Sequence, residues 1–256
     1  MTDITFFTYA MGLSSLLVVL TGLITASLLA IRYFETRNPA VLTVICVILS
    51  MGLTWSGTAI SFFLVLAGEE PLDATAYGLI TITPLSFIGP FLVLSTMQML
   101  RMMRKMSVLL VIMIILGSLS LFVTYTDTES IYDEYKIHEE SGLGEGSYKG
   151  IVRITMAAYI LFAVFFITPL YIYVGVKTDS SKVRMKTALL ALGYGLFGTF
   201  GAMDGLLTLD AITVIIVRAG LASALLSIYL GYTLPPWLER WLKIIENKIL
   251  REEQPA

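Results

Sequence analysis

Apolar residues run along this chain in seven long blocks, at 6–31, 40–66, 74–100, 106–125, 152–176, 187–208 and 211–234. A helix that crosses the hydrocarbon core of a bilayer needs roughly 20 mainly apolar residues, and buried helices of water-soluble proteins rarely offer so many in a row. The segments between the blocks carry turn punctuation: Arg32 to Pro39, Gly68 to Asp73, Arg101 to Lys105, Lys177 to Lys186, and Thr208 to Asp210. One connection, 126–151, is long, Gly-rich and acidic, with Asp127, Glu129, Asp133, Glu134, Glu139, Glu140 and Glu145. The pattern predicts an all-α integral membrane fold, a bundle of seven transmembrane helices filling residues 1–234. It has no internal repeat of the kind that marks many transporters.

Lysine and arginine accumulate in cytoplasmic loops, so their distribution gives the orientation. Alternate connections hold Arg32 and Arg37, then Arg101, Arg104 and Lys105, then Lys177, Lys182, Arg184 and Lys186. With Arg240, Lys243, Lys248 and Arg251 of the tail, 13 of the 17 bases fall on one side. The other connections hold only Lys136 and Lys149, while Arg153 and Arg218 lie in or beside spans. An odd number of crossings with the N-terminus outside and the C-terminus inside satisfies this asymmetry.

Beyond the seventh block, Pro235 and Pro236 cannot continue a helix, having no amide to donate. Residues 235–256 then place Leu238, Trp241, Leu242, Ile245 and Ile249 at helical spacing among charged residues. An amphipathic helix lying on the inner leaflet is expected, either anchoring the tail or docking a cytoplasmic protein.

Composition agrees with this frame. Apolar residues make up 57% and charged ones 14% of the 256 residues, against roughly 45–50% and 25% in soluble domains. A net charge of −2, with no concentrated basic face, argues against nucleic acid as a partner. The start of the chain has an acid and no base, so it lacks the positive region of a cleavable signal, and the first block is expected to remain as a helix. The single cysteine, Cys46, lies inside a block and is read as a buried small hydrophobe.

Charged groups within spans are costly and draw attention as functional candidates. Asp204 stands near the outer end of the sixth block and Arg218 about two turns into the seventh. In a hairpin turning at Thr208 to Asp210 their depths differ by about 6 Å at 1.5 Å per residue, which an arginine side chain can bridge. The pair reads either as structural or as a ligand and switch element. Trp55, Thr58, Tyr77, Thr81 and Tyr159 cluster at similar depth in other spans, and Pro84 and Pro90 would kink the third. These residues either line an outward-facing pocket or bond helices to one another. Small residues punctuate the last two blocks: Gly193, Gly195, Gly198, Gly201 and Gly205 in one, and Ala219, Ser223, Ser227 and Gly231 at four-residue steps in the other. They predict close packing of the sixth span on the seventh.

Several activities are excluded by what the blocks lack. No lysine lies inside a span to form a retinal Schiff base. His138, in the acidic loop, is the only histidine, which rules out paired haem ligands, a three-histidine metal site and Ser–His catalysis. Asp204 has no second carboxylate at comparable depth for an aspartyl protease. No enzyme activity, metal or cofactor is expected.

The Arg37-Asn38-Pro39 opening of the second span, Trp55 within it, the Pro-containing third span ending in a basic turn, and the exit Leu234-Pro235-Pro236-Trp237 together resemble the seven-transmembrane sensory regions of many prokaryotic histidine kinases and diguanylate cyclases. The resemblance implies a bundle that senses an extracellular or intramembrane signal. The sequence departs from that family in carrying no output domain after the last span. It also lacks the paired extracellular cysteines and the Asn-Pro-x-x-Tyr run of animal-type receptors. The expected function is therefore a receptor-like bundle at the cell membrane. It would bind a small or lipophilic ligand in its outer half and relay to a separate cytoplasmic signalling protein. A small transporter or channel, or a structural membrane subunit, is the alternative.

Overall fold

The computed structural model describes residues 5–100, 103–137, 143–207, 209–238 and 240. Helix α1 (Phe6–Thr36) opens on a capping box, in which the Thr5 hydroxyl accepts from the Thr8 amide and the Thr8 hydroxyl accepts from the Thr5 amide. It closes at Arg37, which takes a left-handed conformation (φ 51°) and donates its amide to the Tyr33 carbonyl. Asn38 then caps α2 (Pro39–Leu53) through its side-chain oxygen, with Pro39 at the first helical position, where its missing amide costs nothing. The Arg-Asn-Pro run is thus a helix stop followed by a helix start.

The second block is bent. It is made of α2 and α3 (Ser56–Leu66), inclined at 45° to each other. No proline lies at the bend. The Thr54 hydroxyl instead bonds back to the Ser50 carbonyl and the Ser56 hydroxyl to that of Leu53, drawing carbonyls away from the helical ladder. Helix α4 (Ala74–Leu100) contains Pro84 and Pro90, and α5 (Met103–Thr126) runs back beside it.

The fifth block is α6 (Gly150–Phe162) and α7 (Thr168–Lys177) joined through a π-helical turn, Ala163–Ile167. Pro169 has no amide to complete the regular pattern, and the Thr168 hydroxyl and amide both turn to the Ala163 carbonyl. Ser180 caps α8 (Ser181–Leu206) and Asp210 caps α9 (Ala211–Thr233). The last helix ends at Leu234 in a left-handed conformation (φ 40°), just before Pro235.

These elements make a ring of helical rods packed in chain order, closed by α9 against α1. Among the described residues, five helices are long and apolar enough to cross a membrane, or six when the bent α2–α3 pair counts as one span. Helix α8 falls outside that set because five glycines and Asp204 dilute its hydrophobicity, yet it packs along α9 more extensively than any other pair of elements packs. The outside of the ring is a belt of large apolar side chains; Val108, Phe165 and Val176 are 71%, 73% and 75% exposed. A face of that kind is stable against lipid, not against water. The chain is a multi-pass membrane protein.

The acidic connection is folded. A 3₁₀ turn (Thr128–Ile131) leads into an antiparallel hairpin of β1 (Tyr132–Ile137) and β2 (Gly144–Tyr148), with Tyr132 opposite Tyr148. Their rings stack at 5.4 Å, and the Tyr132 hydroxyl donates to the Ala74 carbonyl. Leu143 is fully buried among Met11, Phe62 and Val214. The hairpin therefore lies across the end of the ring at which α1, α4, α6 and α9 begin. The tail predicted as an interfacial helix returns to helical conformation over 236–238. His138, Trp241 and the residues beyond it lie outside the described residues.

The close packing predicted between the sixth and seventh spans is present, but only some of the small residues make it. Ser223 and Ser227 bond back to the Ala219 and Ser223 carbonyls of their own helix, and Ser223 points outward. Gly198 and Gly205 face Val164 and Met156 on the α6 side, and nothing lies within 4 Å of where a Cβ of Gly201 would stand. The α8–α9 contact is made where Gly193 receives Ile228 and where Gly231 receives Leu190. Another close backbone approach brings Gly22 of α1 against Gly52 of α2, where a Cβ on either would stand 2.9 Å from the other's Cα.

Candidate functional site

Asp204 and Arg218 face each other across α8 and α9, with Arg218 Nε donating to Asp204 Oδ1 at 3.1 Å. Arg218 is buried and Asp204 largely so, at 3% and 14% side-chain exposure. The second carboxylate oxygen, Oδ2, accepts from Trp55 Nε1 at 2.8 Å. One guanidinium nitrogen of Arg218 donates to the Met11 carbonyl at 3.0 Å and to Ser15 Oγ at 2.7 Å. A single ion pair thus ties together α1, the bend between α2 and α3, α8 and α9. Burying two opposite charges is tolerable where their remaining hydrogen-bonding positions are filled in this way. The Trp55 ring also meets Phe197 edge-on at 6.1 Å.

The hydroxyls of Ser14 and Ser15 both donate to the Met11 carbonyl, and Arg218 donates to that same carbonyl and to the Ser15 oxygen beside it. Neither Ser15 nor the Met11 carbonyl was anticipated from the sequence. Two adjacent serines inside an apolar block were the signal.

Above the ion pair, Thr58 and Tyr77 share a hydrogen bond at 3.1 Å between their hydroxyls. Tyr159 works differently. Pro90 has no amide for the Ser86 carbonyl, and the Tyr159 hydroxyl lies 3.0 Å from that oxygen and 3.2 Å from the Met113 carbonyl. Its ring occupies a slot that Gly89 of α4 and Gly117 of α5 leave open, since a Cβ at either glycine would overlap it.

These side chains surround one cavity of 140 Å³. Trp55, Thr58, Tyr77, Thr81, Tyr159, Asp204 and Arg218, the seven ligand or switch candidates of the sequence, all lie in its wall. Its outer half is polar. Inward, successive turns of α4 contribute Leu85, Ile88 and Leu92, and Met51, Ile160, Ala163 and Phe197 complete an apolar floor. Tyr148 of the hairpin and Met156 of α6 also reach the wall. Neither was a sequence candidate: Tyr148 lies in the long acidic connection, and Met156 is one apolar residue among many in its block.

Thr81 Oγ1 is the one polar atom of this wall that is buried without a hydrogen-bond partner among the described residues; the residue is 5% exposed. The other such atom, Ser120 Oγ, lies outside the wall. Among the described residues no group of three His, Cys, Asp or Glu is placed to hold a metal ion. No family model matches the chain, and comparison with curated proteins finds no match.

Proposed function

We propose that the chain is a receptor-like bundle of the cell membrane, with no catalytic role, that crosses the bilayer seven times with its N-terminus outside. It binds a small molecule in the outer-half cavity and relays a helix shift to a separate cytoplasmic signalling protein. The observation that carries the reading is the convergence of seven polar or aromatic residues from distant segments on one cavity. The Asp204–Arg218 pair sits at its edge and holds four helical segments together. A ligand that competes for any partner of that pair changes the relative positions of α1, α8 and α9. Seven crossings follow if α8 counts with the six candidate spans, and the bases at the opposite end then face the cytoplasm.

The inner half supports binding over transport. Below the cavity Tyr171 and Tyr194 are fully buried and stacked at 5.8 Å. Tyr194 pairs with Tyr232, and Gln98 with Thr43. The polar groups there satisfy one another.

Spin labels on Arg37 and Lys177, at the inner ends of α1 and α7, test the relay in the detergent-solubilised protein. Releasing the pair with Asp204→Asn or Arg218→Gln shifts or broadens the inter-label distance by an ångström or more, on the order of helix shifts in known switches. If both variants keep the wild-type distance and the wild-type stability, the pair is no switch.

A further inference from the structure

We infer that the cavity is built for a small uncharged molecule that has an apolar body and one hydrogen-bonding head, and that the head pairs with Thr81. The inference rests on the ligand-binding reading above and names the chemical class of the ligand. Four observations lead to it.

The charges are already used. Both carboxylate oxygens of Asp204 are engaged, one by Arg218 and one by Trp55, and Arg218 neutralises it. An ionic ligand would have to break that pair inside a low-dielectric space, and an ion without a partner there is strongly disfavoured. The size is limited. A volume of 140 Å³ matches cavities that admit a benzene-sized molecule. The floor of Leu85, Ile88 and Leu92 is apolar.

The fourth observation is Thr81 itself. A buried hydroxyl without a partner is costly, and hydroxyls in helices commonly bond to a carbonyl one turn back. Thr83, two residues on, does so with Leu79. Thr81 Oγ1 does not, and it stands against the bare Cα of Gly57, where any Cβ would overlap it. The hydroxyl is left free to donate or accept, so an alcohol, ketone or amide head would satisfy it. The side of the cavity toward α6 is open at Gly201, whose missing side chain leaves space. The hairpin covers the aqueous end. Access along that flank suits a molecule that partitions into the bilayer.

The test uses the full chain carrying Trp237→Phe and Trp241→Phe, which leaves Trp55, in the cavity wall, as the only tryptophan. In detergent its emission is followed while benzyl alcohol, toluene, benzoate and benzylammonium are titrated in turn. Benzyl alcohol gives a saturable change, toluene binds about tenfold more weakly because Thr81 stays unpaired, and the two ions give none. Thr81→Val, close to isosteric, removes the tenfold advantage of the alcohol without moving toluene, and Thr81→Ser keeps it. The inference is overturned if either ion binds as well as the alcohol, or if Thr81→Val leaves the alcohol-to-toluene ratio unchanged. A different result sinks the underlying reading. If neither neutral probe saturates, or if Gly201→Leu, which fills the open flank, fails to weaken both, the cavity binds nothing.

Discussion

Trp55 stands at the 45° bend of the second span and donates its indole N–H to Asp204 at 2.8 Å, so the weakest point of one rod is pinned to the charged end of another. The same carboxylate holds Arg218, and Arg218 holds the backbone of α1 at Met11. The three residues and the α1 backbone thus share one connected set of hydrogen bonds.

Removing one charge strands the other. Asp204→Leu leaves the Arg218 guanidinium buried without its counter-charge, at a cost of roughly 3–5 kcal/mol. The double variant Asp204→Leu, Arg218→Leu recovers most of that loss. Thermal unfolding in detergent of both single variants and the double variant gives the coupling; additive losses would mean that the two residues act independently.

Tyr159 and Pro90 are coupled through the Ser86 carbonyl. Tyr159→Phe withdraws the donor and costs about 1–3 kcal/mol. In a Pro90→Ala background, where residue 90 regains an amide for the same oxygen, the penalty of Tyr159→Phe shrinks. An equal penalty in both backgrounds would show that the hydroxyl serves Met113 instead.

Two glycines that look alike in the sequence separate sharply in the structure. Gly52→Ala forces α1 and α2 apart where their backbones approach closely, an overpacking of about 1–3 kcal/mol. Gly201→Ala meets nothing within 4 Å and, inside a helix, leaves stability unchanged or raises it by up to about 1 kcal/mol. Melting of the two variants side by side checks the contrast.

That contrast marks what the sequence could and could not disclose. Blocks of apolar residues, proline and the Arg-Asn-Pro punctuation determined where helices start and stop, because those signals act within a turn or two of chain. The polar residues of the cavity were legible one by one, since a Thr, Tyr or Asp inside a span needs a partner. The face each residue presents was less accessible. Ser223 and Ser227 sit at the four-residue steps of a packing stripe, but their hydroxyls are satisfied by their own helix and Ser223 faces outward. The bend at Thr54 has no proline, and the hairpin arises in a polar, acidic segment whose pairing depends on Tyr132, Leu143 and Tyr148 finding the bundle end beneath them. Pro169 could have signalled the π-helical turn.

Asp210 adds a pH dependence of known sign. As the cap of α9 its carboxylate accepts from the Thr213 amide at 2.7 Å, and hydrogen bonds from Thr213 hold it below the usual carboxylate range. A depressed carboxylate stabilises the fold fully above its ordinary value, roughly pH 4, and that stabilisation is lost as pH falls through the lowered value. Asp210→Asn, which caps without titrating, melts with less acid sensitivity between pH 5 and pH 2 than the wild type. Parallel pH profiles for the two proteins would remove Asp210 from the account.

The cavity has an outer end only if α8 crosses the membrane, and the two ends of that helix provide the measurement. In a Cys46→Ser chain, single cysteines at Thr178 and at Leu207 are exposed in intact cells to a membrane-impermeant maleimide. Leu207→Cys is labelled in intact cells, and Thr178→Cys only after permeabilisation. If both positions are labelled from the same side, α8 is not a span, and the seven-crossing receptor with an outward cavity is contradicted.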